Sequence, residues 1–196
     1  MHHAVVRIPL VTALVLAVAA CSNTPKAANG ADAAAAASDG AVGDGAAGDG
    51  ALQDLDMQPS DFECILRWTM VGGYRITNKL GNDALSIANS PSGGVFPVGT
   101  VVQIVPTEAM VKRRVGFSTE THDWEFFSLG VSASGTTITT RGTTNVVNAF
   151  GGNCLNCHMA AMSQYDMICG TTHGCAALPL SEAQLIDLQN ADPRCP

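Results

Sequence analysis

Two cysteines and a histidine stand together in the run Cys154-Leu155-Asn156-Cys157-His158, the spacing C-x-x-C-H. On a helix this spacing puts the two sulfurs one turn apart on a shared face. There each thiol can add across a vinyl group of a porphyrin, while the imidazole of His158 projects from the same turn toward a metal at the ring centre. This is the attachment pattern of c-type haem. A thioredoxin-like reading of the C-x-x-C needs a βαβ setting that the flanking sequence lacks. A zinc site could combine Cys154 and Cys157 with His173 and Cys175, but a second C-x-x-C knuckle is absent and His158 would have no role. The expectation is therefore one covalent haem c, with Cys154 and Cys157 as thioether donors and His158 as axial iron ligand.

The other cysteines bear on compartment. The first twenty residues, MHHAVVRIPLVTALVLAVAA, join a basic start (Arg7) to an apolar run, Ile8 to Ala20, that is short for a bilayer span. They read as an export signal over 1–20, ending at Val18-Ala19-Ala20-Cys21. That ending resembles the lipobox of bacterial lipoproteins, which implies lipidation of Cys21. Ser22 follows it, so the expected address is exported and lipid-anchored, on the outer membrane of a diderm cell.

Residues 21–56 are mainly Ala, Gly, Asp and Ser with no aromatic residue, a composition that cannot bury a core. They read as an acidic tether and hold six of the 17 acidic residues behind the net charge of −7. Residues 57–196 are then only mildly acidic, which gives no basis for nucleic-acid binding. They are long enough for one domain with its own core. In an oxidising compartment Cys64, Cys169, Cys175 and Cys195 read as two disulfides. Cys169 and Cys175 flank a tight loop, and Cys64 with Cys195 would then tie the start of the domain to its end; the other two connectivities stay open.

The elements that must position the motif follow from pattern. Ser60-Asp61-Phe62-Glu63 reads as a capping box opening a helix of about ten residues, with Phe62, Ile65, Leu66 and Met70 at helical spacing and Gly72-Gly73 ending it. A second short helix is expected over Asn82 to Ile87. GTVVQIVP, HDWEFFSL and TTITTRGTT read as strands, the last two joined by a hairpin in GVSASG. Asn153 is expected to cap a helix running through His158 and Met162, and Ser181-Glu182-Ala183-Gln184 to open a final helix. The fold class expected is α+β: a mainly antiparallel sheet packed on a covalently bound haem, with N-terminal helices, a haem-motif helix and a C-terminal helix.

A C-x-x-C-H placed late, behind strands, resembles the cytochrome P-460 and cytochrome c′-β family. Phe96-Pro97-Val98-Gly99-Thr100, Trp124-Glu125-Phe126 and Asp166-Met167-Ile168 are similar to segments of that family. The resemblance implies a β-rich dome on a haem ligated by His158. It also implies a partner that is a small gas such as nitric oxide or carbon monoxide or a nitrogen-oxide substrate, or else electron relay to a periplasmic redox partner. Members that oxidise hydroxylamine carry a lysine cross-linked to the haem. Here the domain has only Lys79 and Lys112, and Gln103 stands on the strand where that lysine is first sought. Lys112, in Lys112-Arg113-Arg114, reads as part of a solvated basic face or a propionate contact.

On the distal side, Phe96 with Trp124 or Phe126 is the expected aromatic cap, with Trp124 and Phe126 on one strand face and Phe127 on the other. Met110 is the freest alternative ligand. His122 and His173 read as surface or loop groups, and Met159, Met162 and Met167 as packing around the haem edge.

Overall fold

The computed structural model describes residues 53–196; the export signal, Cys21 and most of the tether lie outside the described residues. Six strands form one antiparallel sheet in strictly sequential order: β1 (Thr69–Val71), β2 (Tyr74–Asn78), β3 (Thr100–Gln103), β4 (Glu108–Lys112), β5 (Trp124–Ser132) and β6 (Gly135–Gly142). Three short helices accompany it: α1 (Leu85–Ala88), α2 (Cys154–His158) and α3 (Glu182–Asn190). The antiparallel α+β expectation holds at this level.

The expected opening helix does not form. Its residues make two 3-10 turns, Pro59–Asp61 and Ile65–Arg67, followed by β1. Two tertiary demands override the helical spacing. The Ile65 N–H donates to the Asp192 carboxylate at 2.9 Å, and Cys64 is bonded to Cys195, so the backbone here is bound to the C-terminus. Gly72-Gly73, expected as a helix stop, is instead the two-residue turn of a hairpin pairing Val71 with Tyr74. Both glycines have positive φ, +53° and +94°, as a tight hairpin turn with the strand twist requires.

Alternation along the strands sorts the core into two faces. Tyr74, Ile76, Val102, Met110, Trp124 and Phe126 point to one side, where they bury against Phe96, Cys154, Leu155, Met167 and Ile168. Val101, Ala109, Val111, Phe127 and Leu129 point to the other, against Met57, Phe62 and Trp68. Trp124 and Phe126 thus share a face and Phe127 opposes them, as the alternation of HDWEFFSL predicts.

The second face is closed by the start of the described chain. Asp54 and Asp56, assigned by composition to the tether, lie against this face. Asp54 accepts from the Arg113 guanidinium at 3.0 Å, and Asp56 from Arg141 at 2.6 Å. Glu125, buried between them, is bonded to both Arg113 and Arg141.

The C-terminal helix forms as its capping box predicts, with Ser181 accepting from the Gln184 N–H and the Gln184 side chain reaching back to Ser181. Its fully buried Gln189 accepts from Arg75 and donates to the carbonyls of Gly73 and Ile104. Two disulfides, Cys64–Cys195 and Cys169–Cys175, are present, one of the three connectivities the sequence leaves open.

Candidate functional site

The motif helix α2 is short because its ends are held from outside. Asn153 caps it, accepting from the Asn156 N–H at 3.1 Å while its amide donates to the Thr144 carbonyl at 2.7 Å. The Cys154 N–H bonds the Val146 carbonyl at 3.0 Å. The helix ends at His158 and does not continue to Met162, because the Met162 N–H is taken by the His173 carbonyl of the disulfide loop at 2.7 Å. One turn is enough to hold both sulfurs and the imidazole.

Cys154 and Cys157 remain as thiols, outside both disulfides. Cys154 is buried, and burial, helped by the charges of Glu108 and Cys157, pushes its pKa up to about 12, so it stands as the neutral thiol. Burial likewise raises Glu108 above the ordinary carboxyl range, against the bond it accepts from the Ala149 N–H at 2.8 Å.

His158 is half-buried, and its Nδ1 lies 2.7 Å from the Met167 carbonyl oxygen. A carbonyl only accepts, so Nδ1 carries the proton and Nε2 keeps its lone pair. Burial lowers the imidazole pKa, opposed by the Met167 bond, which favours the neutral ring. A neutral imidazole with a protonated, carbonyl-bound Nδ1 has the form of a metal ligand through Nε2.

The chemistry of this donor set fits covalent haem: two thiols one turn apart, followed by an imidazole with Nε2 available. The Phe126 ring stands 5.3 Å from the His158 ring, centre to centre. Phe126 thus packs beside the imidazole, on the sheet face that carries Trp124 and Met110. Trp124 is held by its Nε1–H, which donates to the Asp166 carbonyl at 2.8 Å, and it packs edge-on against Phe96 at 5.8 Å. Met110 is buried on the same sheet face, directly opposite Phe126 in register.

Other expected roles are placed differently. Lys112 is not part of a solvated face: it is 5 % exposed, and its ammonium donates to Asp166 and to the His122 carbonyl, both at 2.7 Å, beside the Trp124 ring. Arg113 is buried among Asp54 and Glu125, so only Arg114 of the three basic residues is exposed. Each cation of the run is matched by an acid that is distant in sequence. Gln103 lies on the Val101 face, turned from the motif, its amide closing the β3–β4 turn through the carbonyls of Pro106 and Glu108. Lys79 pairs with Glu63 at 2.7 Å.

His122 is half-exposed, its Nδ1 3.6 Å from Asp166. His173 stacks on Tyr165 at 3.6 Å, and its Nδ1 lies 2.8 Å from the Ile168 carbonyl oxygen. Met159 and Met162 are exposed, whereas Met167 is buried.

A metal set drawn from Cys154, Cys157, His173 and Cys175 is lost once Cys175 is bridged to Cys169. Among the described residues the group within ligand reach is Cys64, Asp192 and Cys195, and two of those are a disulfide. A cleft of about 200 Å³ lined by Arg67, Trp68, Asn78, Asp83 and their neighbours contains none of the motif residues.

The chain matches no known protein family, no curated protein and no solved structure. Among the described residues no helix is long and apolar enough to cross a membrane. Asp166 is the residue whose weight at this site pattern alone does not reveal. It is an acid in an apolar segment, and its partners Phe96, Lys112, Trp124 and His122 come from three separate parts of the chain.

Proposed function

We propose that this chain is an exported, lipid-anchored c-type haem protein of the cytochrome P-460 and cytochrome c′-β type, with His158 as axial ligand. Its role is to bind small gases such as nitric oxide and carbon monoxide or to transfer electrons on the periplasmic side of the membrane. The observation that carries the proposal is the state of the motif. Of the six cysteines in the described residues, four are bridged and two remain as thiols one turn apart. Beside them stands an imidazole whose Nδ1 is bound and whose Nε2 is left for a metal.

Bound haem would supply an iron able to change oxidation state and to take a sixth ligand. The chain supplies the rest. Cys154 and Cys157 anchor, His158 coordinates, and the Met167 carbonyl fixes the ring tautomer. The buried residues Met110, Trp124 and Phe126 give the sheet face beside the motif an apolar lining, and the Trp124 N–H, already used by the Asp166 carbonyl, would not be available to a bound ligand. Hydroxylamine oxidation through a lysine-linked haem is less well supported, because Lys79 and Lys112 are both engaged with carboxylates.

The test is intact-mass spectrometry of the full chain made with a haem-attachment system. The mass of one haem is expected in the parent, with Cys154→Ala and Cys157→Ala losing one thioether each and retaining little haem on a denaturing gel. A parent chain without a haem adduct, or a cysteine variant that keeps full haem, overturns the proposal. Tryptic mapping of the same sample reads the lysine cross-link directly.

A further inference from the structure

Three consecutive carbonyls, those of Asp166, Met167 and Ile168, each face a ring nitrogen from a different part of the chain. Trp124 Nε1 of β5 lies 2.8 Å from the first, His158 Nδ1 of α2 2.7 Å from the second, and His173 Nδ1 of the disulfide loop 2.8 Å from the third. An ordinary extended segment cannot serve three such donors, because its carbonyls alternate in direction. Here Asp166 and Met167 both have left-handed backbone, with φ of +48° and +65°. Left-handed conformations are uncommon outside glycine, and two in succession, one of them at a Met, persist only where the surroundings impose them.

The Asp166 side chain is held from outside this turn. It is 3 % exposed, and its Oδ2 accepts from the Phe96 N–H at 2.8 Å and from the Lys112 ammonium at 2.7 Å. Lys112 also donates to the carbonyl of His122, which with Asp123 forms a second left-handed pair, φ +50° and +66°. One buried ammonium thus joins two strained turns. The Met167 carbonyl, which touches His158, follows directly from the residue so clamped.

We infer that Asp166, held by Lys112 and the Phe96 amide, is the positioning residue of His158: it fixes the turn that aims the Met167 carbonyl at Nδ1 and so sets which nitrogen faces the metal and how the ring is oriented. This rests on the reading of His158 as the iron ligand. The Asp166 carboxylate bonds Phe96 and Lys112, and the His158 ring bonds the Met167 carbonyl, so Asp166 acts through that one carbonyl.

The test compares the full chain with Asp166→Asn, which keeps the shape and tolerates left-handed backbone but removes the anion, and with Lys112→Met/Asp166→Asn, which also removes the stranded ammonium should the single variant fail to fold. The readouts are the iron–imidazole stretching band of the ferrous protein and solvent exchange of the His158 Nδ1 proton by NMR. In the variants the band is expected to broaden and move to lower frequency. Nδ1 proton exchange is expected to speed up by about fivefold, the factor for losing one neutral hydrogen bond. A purely structural role lowers the melting temperature and leaves both readouts unchanged, and that result overturns the inference.

A parent protein in which His158 carries its proton on Nε2 overturns it whatever the variants do. If the chain takes up no haem, the function proposed above falls. The imidazole nitrogen shifts and exchange of the haem-free chain then still decide whether Asp166 sets the His158 tautomer.

Discussion

Replacing both members of the Cys64–Cys195 bridge by serine should cost this domain more stability than any other pair of small substitutions, and the reason lies in the unfolded chain. The bridge spans a sequence separation of 131, against 6 for Cys169–Cys175. The loop-closure entropy removed from the unfolded state is about 5 kcal/mol for the long loop and about 2 kcal/mol for the short one. The folded state loses little, because the same ends are held independently. Asp192 accepts from the Ile65 N–H, and Arg194 donates to the Phe62 carbonyl at 3.2 Å and to the Thr136 hydroxyl at 3.1 Å. Burial alone would raise the Asp192 pKa, yet Arg194 and the Ile65 N–H hold it below the ordinary range, so the clamp remains ionised at neutral pH. Cys64→Ser/Cys195→Ser should therefore keep the native far-ultraviolet circular dichroism while its urea midpoint falls. The denaturant slope should also rise as the unfolded chain, freed of its cross-link, exposes more surface. Cys169→Ser/Cys175→Ser should lose about half as much. An equal or reversed ranking, or a long-loop loss below about 1 kcal/mol, refutes the entropic account.

Acid should probe the second face of the sheet: Arg113 beside Asp54, with the backbone N–H groups of Arg114 and Leu55, outweighs burial and lowers the Asp54 pKa from 3.8 to about 2. Its contribution to stability is full above pH 3.8 and is lost as pH falls toward 2, so Asp54→Asn should flatten the pH dependence of the melting temperature in that window, and an unchanged profile counts against the pairing. Phe126→Ala, at a side chain 2 % exposed, should cost about 3–5 kcal/mol in urea unfolding, whereas Met159→Ala, 59 % exposed, should stay within about 0.5 kcal/mol; similar losses at the two positions would contradict the packing described. In the haem-loaded protein the ferrous iron should be high-spin and take up carbon monoxide without displacing a side chain, and a low-spin spectrum abolished by Met110→Ala would show Met110 to be a ligand.

What could be read from sequence here divides by the range of the interactions that decide each element. The Ser181 capping box, the Asn153 cap and the alternation of HDWEFFSL depend on neighbours within a few residues, and they form as read. So does the short disulfide, whose partners are held close by the chain itself. Failures begin where a distant partner outbids a local signal. Phe62 to Met70 has helical spacing, but its amide and its cysteine are claimed by Asp192 and Cys195, more than 120 residues away. With those groups engaged, β1 can form only by pairing across Gly72-Gly73. The same logic governs the charges. Lys112-Arg113-Arg114 looks like a solvated patch because no acid stands within three residues of it, and its partners Asp54, Glu125 and Asp166 are brought in by the fold. Buried charges of this kind are costly unless matched, so Lys112 and Asp166 are informative together and unremarkable apart. The motif Cys154-Leu155-Asn156-Cys157-His158 is legible because thioether attachment needs a fixed local spacing. The support under its histidine is a left-handed turn at Asp166 and Met167 stabilised from β4 and from Phe96, and no local pattern specifies it. A substitution at Lys112, 46 residues before His158, is therefore expected to disturb the imidazole more than one at Met159 beside it.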